Sequence, residues 1–350
     1  MRWLLVLGIV GCYSPTVHPG APCGPAGACP GNLVCSAAMT CEPPGGGGAD
    51  AATDSGDLTD ASPDAPVAID ACTTCIAPVN DLPGGAIDVT NGGDFTADLI
   101  YAHDDASKPA NGGGACGSDG GLDVFYKVHV TASEVYYIDT FGSDPTLDTI
   151  VRVYKGACVA GVSPQGTVCH DNAQCGSSVH TQWVGTLAAG DNCIVVDGTN
   201  GTQTGTSLKV HVERGHRDGI AVNAIRTPSG AYTESGNTTG TSNVQDGTCA
   251  MHGFGEIGYY FIECPGQSLS VTASTCNATT AATPWDTAVY ADGPGGELAC
   301  QDDDMAACTL GGGLSTINFT TSGAHLYWVL VDGGGGTPST GAYELDLTFP

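Results

Sequence analysis

The chain has 350 residues, of which 17 are cysteine and 53 are glycine. Nine Lys and Arg residues face 37 Asp and Glu residues, which gives a formal net charge of −28 at pH 7. This charge argues against nucleic acid and anionic lipid head groups as partners, because both repel an acidic surface. The many cysteines predict an oxidising compartment, and the abundant glycine argues against long helices.

The first twelve residues have the pattern of an export signal. Arg2 is followed by a short apolar run over residues 3–9, and the string Ile-Val-Gly-Cys ends at Cys12. This string resembles the lipobox of bacterial lipoproteins, which implies that residues 1–11 are a signal peptide and that Cys12 carries a lipid anchor to the membrane. Tyr13 replaces the aspartate associated with inner-membrane retention, so we expect the outer membrane or cell surface. The alternative is an ordinary signal peptide with Cys12 as a half-cystine.

A small cysteine-rich module is predicted within residues 12–42. Its cysteines recur at intervals of six residues, and such a short segment cannot build a hydrophobic core without disulfides. Three connectivities are open for two disulfides, and a zinc site is the competing hypothesis, although the usual C-x2-C pairs are absent. The four cysteines are Cys23, Cys29, Cys35 and Cys41.

Residues 43–76 are predicted to form a flexible acidic linker. The segment is rich in Pro, Gly, Ala and Asp and contains no aromatic residue. This composition cannot bury enough apolar surface to offset the entropy of ordering.

The rest of the chain contains an internal repeat with a period of about 133 residues. Asp148-Thr149 is matched by Asp286-Thr287, and the string at 194–198 is matched at 329–333. Short runs of alternating or continuous apolar residues are separated by glycine-rich stretches, which is typical of strands and turns. We therefore predict an all-β protein with two tandem antiparallel β-sandwich domains of jelly-roll type, over residues 77–214 and 215–350.

These repeats resemble the bacterial pre-peptidase C-terminal (PPC) domain. The first copy carries LDTIVRVY, CHDN and IVVDG in that order, and the second carries WDTAVYA, CQDDD and VLVDG. The resemblance spans residues 77–350 and implies a noncatalytic sandwich of the kind attached to secreted enzymes or surface proteins. Some members of that family bind calcium and extracellular matrix. No peptidase domain accompanies the pair here.

Acidic residues recur at the predicted loops of both copies and offer the hard oxygen ligands that calcium prefers. The alternative is that these carboxylates lie at turns and strand ends and face water. The second copy is the better candidate, because His170 and Asn172 stand in the matching loop of the first. The candidate ligands are Asp286, Asp302, Asp303, Asp332, Asp148, Asp171 and Asp197.

The repeat suggests two local disulfides. Cys169 with Cys175 and Cys300 with Cys308 bracket equivalent loops, so each pair is predicted to close its own loop. Each copy holds five cysteines, which leaves one unpaired in each. Either Cys72 and Cys75 complete the two sets, or an inter-repeat disulfide pairs the leftovers.

The sequence contains no catalytic motif such as HExxH, GxSxG or a P-loop, so we predict that the protein is not an enzyme. His129, His211 and His325 lie in strand-like segments and are assigned ordinary surface or core roles. The functional prediction is a cell-surface lipoprotein for binding or adhesion at the envelope, with a polysaccharide or protein ligand. The alternatives are a structural envelope spacer and an accessory protein for a secreted hydrolase.

Overall fold

The computed structural model divides the chain into two compact units, Met1–Asp70 and Ala71–Pro350. Cys12, Cys23, Cys175 and the predicted linker over 43–75, with its two cysteines, lie outside the residues that the structure describes. Those residues are Cys29, 33–35, 41–42, 76–105, 121–159, 168–173, 178–199, 206–215, 221–224, 229–250, 253–283, 285–306, 308–311, 313–335 and 338–350.

The N-terminal unit contains a short antiparallel strand pair. Strand β1 (Val34–Cys35) pairs with β2 (Cys41–Glu42), and Cys35 lies opposite Cys41 in the register. Cys29 and Cys35 are both disulfide-bonded.

The first half of the C-terminal unit is a sandwich of a five-stranded and a four-stranded sheet. The five-stranded sheet has the order β3-β5-β10-β7-β8, and the four-stranded sheet has the order β4-β11-β6-β9. All pairs are antiparallel except β3 with β5. The strands are β3 (Ile87–Asp88), β4 (Gly93–Asp98), β5 (Asp123–Val130), β6 (Glu134–Asp139), β7 (Thr149–Lys155), β8 (Val168–Asp171), β9 (Gln182–Leu187), β10 (Gly190–Gly198) and β11 (Ser207–Arg214).

The second half has the same arrangement of strands. Its five-stranded sheet has the order β12-β14-β19-β16-β17 with β12 parallel to β14, and its four-stranded sheet has the order β13-β20-β15-β18. The strands are β12 (Ala221–Ala224), β13 (Gly230–Asn237), β14 (Ile257–Ile262), β15 (Ser270–Ser274), β16 (Thr287–Gly293), β17 (Gly296–Asp302), β18 (Thr316–Thr320), β19 (Leu326–Gly333) and β20 (Ala342–Phe349). The predicted all-β class and sandwich arrangement are confirmed.

Each sandwich encloses its own hydrophobic core. The closing strands β11 and β20 alternate between core-facing apolar residues and outward residues, as a half-buried strand requires. In the first core, Val124 and Tyr126 of β5 meet Leu208 and Val210 of β11. The described residues contain one α-helix, α1 (Ala278–Ala282), and no helix among them is long and apolar enough to cross a bilayer.

A third apolar cluster joins the two sandwiches. Val135 and Tyr137 of β6 pack with Tyr260 of β14 and with Leu326 and Trp328 of β19. Strands β6, β14 and β19 are buried along their whole length, because one face of each contacts its own core and the other contacts the neighbouring sandwich. The two sandwiches therefore form one compact unit.

The predicted Cys300–Cys308 disulfide is wrong. Cys300 on β17 bonds to Cys249, with a Cα–Cα distance of 5.6 Å, and Cys308 bonds to Cys276 at 5.5 Å. The two cysteines bond to different partners because β17 holds Cys300 beside the loop at 249, whereas the chain beyond β17 carries Cys308 towards the segment before α1. A further disulfide joins Cys158 to Cys193.

Cys169 is also disulfide-bonded. Its predicted partner, Cys175, lies outside the described residues, so that pairing stays a prediction.

Candidate metal centre

Buried hydroxyl groups hold the Asp-Thr pair at the start of β16. Thr287 Oγ1 lies 2.8 Å from Thr275 Oγ1, and Ser315 Oγ donates to the carbonyl oxygen of Thr287 at 2.6 Å. All three residues are fully buried. A satisfied buried network of this kind keeps the strand end rigid, so Asp286 extends from a fixed backbone. The first sandwich has the same arrangement, formed by Thr140, Thr149 and Thr181.

Three carboxylates converge beside this strand end. One oxygen from each of Asp286, Asp302 and Asp303 lies within 4.8 Å of the other two. Asp302 ends β17, and Asp303 follows it with a φ of +60°, a left-handed conformation that aspartate adopts more readily than most residues. The strand end and this turn therefore bring the three acidic groups together.

Gly334, directly after β19, allows two of these carboxylates to approach the backbone. Its N–H donates to the carbonyl oxygen of Asp286 at 2.9 Å. A Cβ at this position would lie 2.1 Å from Asp302 Oδ1 and 2.7 Å from Asp286 Oδ1. Only glycine fits here without displacing the carboxylates.

The negative charges in this cluster oppose one another. Burial, together with the neighbouring carboxylates of Asp286 and Asp303, raises the pKa of Asp302 to about 6. Asp302 Oδ1 is buried and accepts no hydrogen bond from the described residues. Hard carboxylate oxygens in this arrangement suit Ca²⁺, which would offset both the repulsion and the desolvation of Asp302.

The first sandwich carries a weaker version of the same group. Asp148 and Asp171 correspond to Asp286 and Asp302, and burial together with Asp148 raises the pKa of Asp171. Asn172, at a φ of +70°, supplies a neutral amide in place of the third carboxylate. Thr199 stands at the position of Gly334, and its N–H donates to the carbonyl oxygen of Asp148 at 3.0 Å. Two charges instead of three, and a threonine where the second sandwich has Gly334, make this a poorer cation site.

Asp332 and Asp197 do not belong to these groups, although the sequence pattern placed them with the other candidate ligands. Asp332 Oδ1 accepts the N–H of Gly333 at 2.6 Å, and burial, together with the nearby carboxylate of Glu256, raises the pKa of Asp332 to about 7. Asp197 Oδ2 forms a buried ion pair with Arg152 Nη1 at 2.6 Å. Both aspartates therefore contact groups outside the two carboxylate clusters.

One feature of the centre was missed from the sequence. Gly334 and Thr199 differ directly after the matched VDG strings, so the signal was present in the sequence as Asp-Gly-Gly against Asp-Gly-Thr. Glu256 is fully buried and its Oε1 accepts the N–H groups of Val244 and Gln245 at 2.8 and 2.7 Å. That role depends on a loop that folds over the sheet, which periodicity does not reveal.

Comparison with protein-family models gives no match, and comparison with curated proteins also gives none. Among solved structures, the chain is similar to the pre-peptidase C-terminal domain of a collagenase from Bacillus anthracis, with 14% identity, a TM-score of 0.23, and coverage of 38% of this chain and 99% of that one. It is also similar to the CUB1-EGF-CUB2 domains of rat MASP-1, with 10% identity, a TM-score of 0.20, and coverage of 75% and 99%. A third similarity is to a xanthan lyase from Paenibacillus, with 13% identity, a TM-score of 0.21, and coverage of 74% and 25%. At these TM-scores, the architecture described above rests on the strands themselves.

Proposed function

We propose that the protein is a noncatalytic, lipid-anchored binding protein of the cell envelope, in which tandem PPC-like sandwiches present a calcium-ordered loop to an extracellular ligand. The observation that carries this proposal is the convergence of Asp286, Asp302 and Asp303 beside Gly334. Calcium in this cluster would hold the turn after β17 in one conformation.

The segment that follows the cluster is suited to contact a partner. Met305 is 78% exposed and Leu310 is 52% exposed, so two large apolar side chains project into solvent within a few residues of Asp303. The disulfide between Cys276 and Cys308 ties the same segment to the body of the sandwich. Loops held in place by a rigid scaffold commonly carry binding residues. The proposed ligand is an extracellular protein or polysaccharide.

Export of the chain is supported by its disulfides, which persist in oxidising compartments. Lipid attachment at Cys12 rests on the sequence resemblance to a lipobox. The PPC-like assignment of both sandwiches is supported by the motifs that recur in order and by their identical strand orders. In the proposed arrangement, the acidic linker separates the anchor from the sandwiches.

A calcium titration tests the metal part of the proposal. The oxidised full chain carrying Cys12→Ser is unfolded thermally with Ca²⁺ or with a chelator. Calcium at one hundred times its dissociation constant stabilises the native state by about 2.7 kcal/mol, which corresponds to a rise in Tm of several degrees. We expect Asp302→Asn to abolish the shift and the matched variant Asp171→Asn to retain it. Identical transitions with and without calcium in the chain that carries only Cys12→Ser would contradict the proposal.

A second experiment tests the binding role. Glycan and extracellular-protein arrays are probed with the same chain in calcium and in chelator. We expect a saturable signal that depends on calcium and is lost in the double variant Met305→Asp, Leu310→Asp. Val79→Asp, at a side chain that is 78% exposed in the first sandwich, is the control and should bind normally. Equal signals from both variants would contradict the assignment of this loop.

The interface between the sandwiches favours a structural spacer as the second candidate function. Gln182 Nε2 donates to the carbonyl oxygen of Glu263 at 2.9 Å, so a polar contact reinforces the shared apolar cluster. A rigid pair of domains is what a spacer requires. This hypothesis predicts no saturable ligand on the arrays, even where calcium raises the Tm.

A further inference from the structure

A cluster of two histidines and one glutamate lies where the sandwiches meet. His211 and Glu213 belong to β11 and are two residues apart, so both extend from the face of the strand opposite Val210 and Val212, which pack in the first core. His325 comes from the second sandwich, directly before β19. The three side chains are all half-buried.

The donor atoms of this cluster point at one another. His211 Nε2 lies 2.7 Å from Glu213 Oε1, and His325 Nδ1 contacts the same oxygen. One ligand atom from each residue lies within 4.8 Å of the other two. Donors bound to one tetrahedral zinc ion are about 3.4 Å apart, so this group needs only a small adjustment to enclose the ion.

The groups behind the donors hold them in the orientation that a metal requires. His211 Nδ1 lies 2.6 Å from Asp94 Oδ1, and the imidazole then presents Nε2 to the cluster. Metal-binding histidines commonly bond their second nitrogen to a carboxylate in this way. Glu213 Oε2 accepts the N–H of Leu326 at 2.9 Å, which fixes the carboxylate and leaves Oε1 for the cluster.

The cluster opens into a cavity of about 480 Å³ between the sandwiches. His211, Glu213 and His325 line it together with Gly92, Gln245 and Trp328. Solvent in this cavity has access to a fourth coordination position. Two imidazoles and one carboxylate with one open position are a recognised zinc ligand set, and imidazole nitrogen selects zinc over calcium.

We propose that His211, Glu213 and His325 bind one Zn²⁺ ion that links the two sandwiches, with a water molecule from the cavity as the fourth ligand. The ion would replace the protons through which His211 Nε2 and His325 Nδ1 contact Glu213 Oε1, and these protons would be released to solvent. This site is separate from the carboxylate cluster around Gly334 and does not depend on calcium. Since its ligands come from both sandwiches, metal binding would strengthen the contact between them.

Metal titration of the full chain, purified without a histidine tag and carrying Cys12→Ser, tests the site. Zn²⁺ is titrated by calorimetry after chelation, and Co²⁺ is used as a probe because its visible absorption reports tetrahedral coordination. We expect one high-affinity equivalent, and a loss of affinity of at least tenfold in Glu213→Gln and His325→Ala. Asp94→Asn, whose side chain is 86% exposed, should fold normally and weaken binding by about tenfold, as loss of an outer carboxylate commonly does.

His129→Ala is the matched control. His129 Nδ1 also lies 2.6 Å from a carboxylate, that of Asp191, but both side chains are more than half exposed and they lie outside the cluster. We expect zinc binding in this variant to equal that of the unsubstituted chain, with folding of every variant checked by circular dichroism. Absence of a stoichiometric Zn²⁺ site, or equal affinity in His325→Ala and His129→Ala, would overturn the proposal.

Discussion

Thr199 and Gly334 occupy the same position in the two sandwiches, and each donates its backbone N–H to the carbonyl oxygen of the aspartate that precedes an equivalent strand, at 3.0 and 2.9 Å. They differ in the side chain: Gly334 has none beside the carboxylates of Asp286 and Asp302, whereas Thr199 carries one. This difference separates the two candidate cation sites more clearly than the count of acidic residues does.

Substitution of Gly334 should therefore weaken calcium binding, whereas substitution of Thr199 by glycine should not. Gly334→Thr places a Cβ within 3 Å of two carboxylate oxygens and should reduce the calcium-dependent rise in Tm to near zero. Gly334→Ala adds only the Cβ and should have most of the same effect. Thr199→Gly is the reciprocal variant, because it removes the side chain at the equivalent position of the first sandwich. We expect it to retain the calcium-dependent rise in Tm. Thermal unfolding with and without calcium measures all three, and an unchanged shift in Gly334→Thr would contradict the assignment.

Asp332 predicts a pH dependence of stability. Its pKa is raised by burial to about 7, above the value of about 3.9 in an unfolded chain. The folded state then holds a proton that the unfolded state has released, so the stabilisation is complete below about pH 4 and is lost as the pH rises to about 7. Asp332→Asn removes this dependence. The free energy of unfolding of the unsubstituted chain, relative to the variant, should fall by roughly 1.4 kcal/mol for each unit of pKa difference.

Denaturant unfolding between pH 4 and 8 measures this effect. Parallel profiles for Asp332→Asn and the unsubstituted chain would show that Asp332 is ionised in the folded state at low pH.

The buried ion pair of Arg152 with Asp197 should be sensitive to removal of one partner. The two side chains are 1% and 2% exposed, so Arg152→Met leaves a buried carboxylate without its cation and should cost about 3–5 kcal/mol. The double variant Arg152→Met, Asp197→Asn should recover most of this loss, because Tyr290 already takes the place of Arg152 in the second sandwich. Lys127→Met, at an exposed position of β5, is the control for loss of a positive charge. Denaturant unfolding measures each variant, and additive losses in the double variant would contradict the coupling.

Removal of the disulfide between Cys276 and Cys308 should weaken both stability and calcium binding. The bond closes a loop with a sequence separation of 32 residues, for which the chain-entropy account gives about 3–4 kcal/mol. Because Cys308 follows the carboxylate turn, the double variant to alanine should also lower the affinity for Ca²⁺. Removal of Cys158 and Cys193, with a separation of 35 residues, is the matched control. It should lower the Tm without changing the calcium affinity.

Anchoring through Cys12 is tested by fractionation of cells that express the full chain. Cys12→Ser should move the protein from the membrane to the soluble exported fraction and abolish incorporation of labelled fatty acid. Gly20→Ser is a neighbouring control that leaves the lipobox intact. Retention of Cys12→Ser in the membrane would refute lipid anchoring.

Much of the architecture was predictable because it is local. Alternating apolar residues predicted strands such as β11 and β20, and the repeat, of which the matched Asp-Thr pairs are part, predicted two sandwiches. Asp286, Asp302 and Asp303 were proposed as ligands from their place in the repeat, and they do converge. Asp332 shared the same repeat, yet it lies beside Glu256 instead, because a loop closes over that end of the sheet.

Three properties follow from the sequence by itself: a cysteine content that suits an oxidising compartment, the period of the strands and the order of the repeated motifs. The last two depend on residues that are near one another in the chain. Only the tertiary structure decided which cysteines meet, why Gly334 differs from Thr199, and that His211 and His325 lie 5.5 Å apart between ring centroids. Those relationships join residues up to 114 positions apart, and they depend on sheet order, strand register and the contact between the sandwiches. Local periodicity contains none of that information.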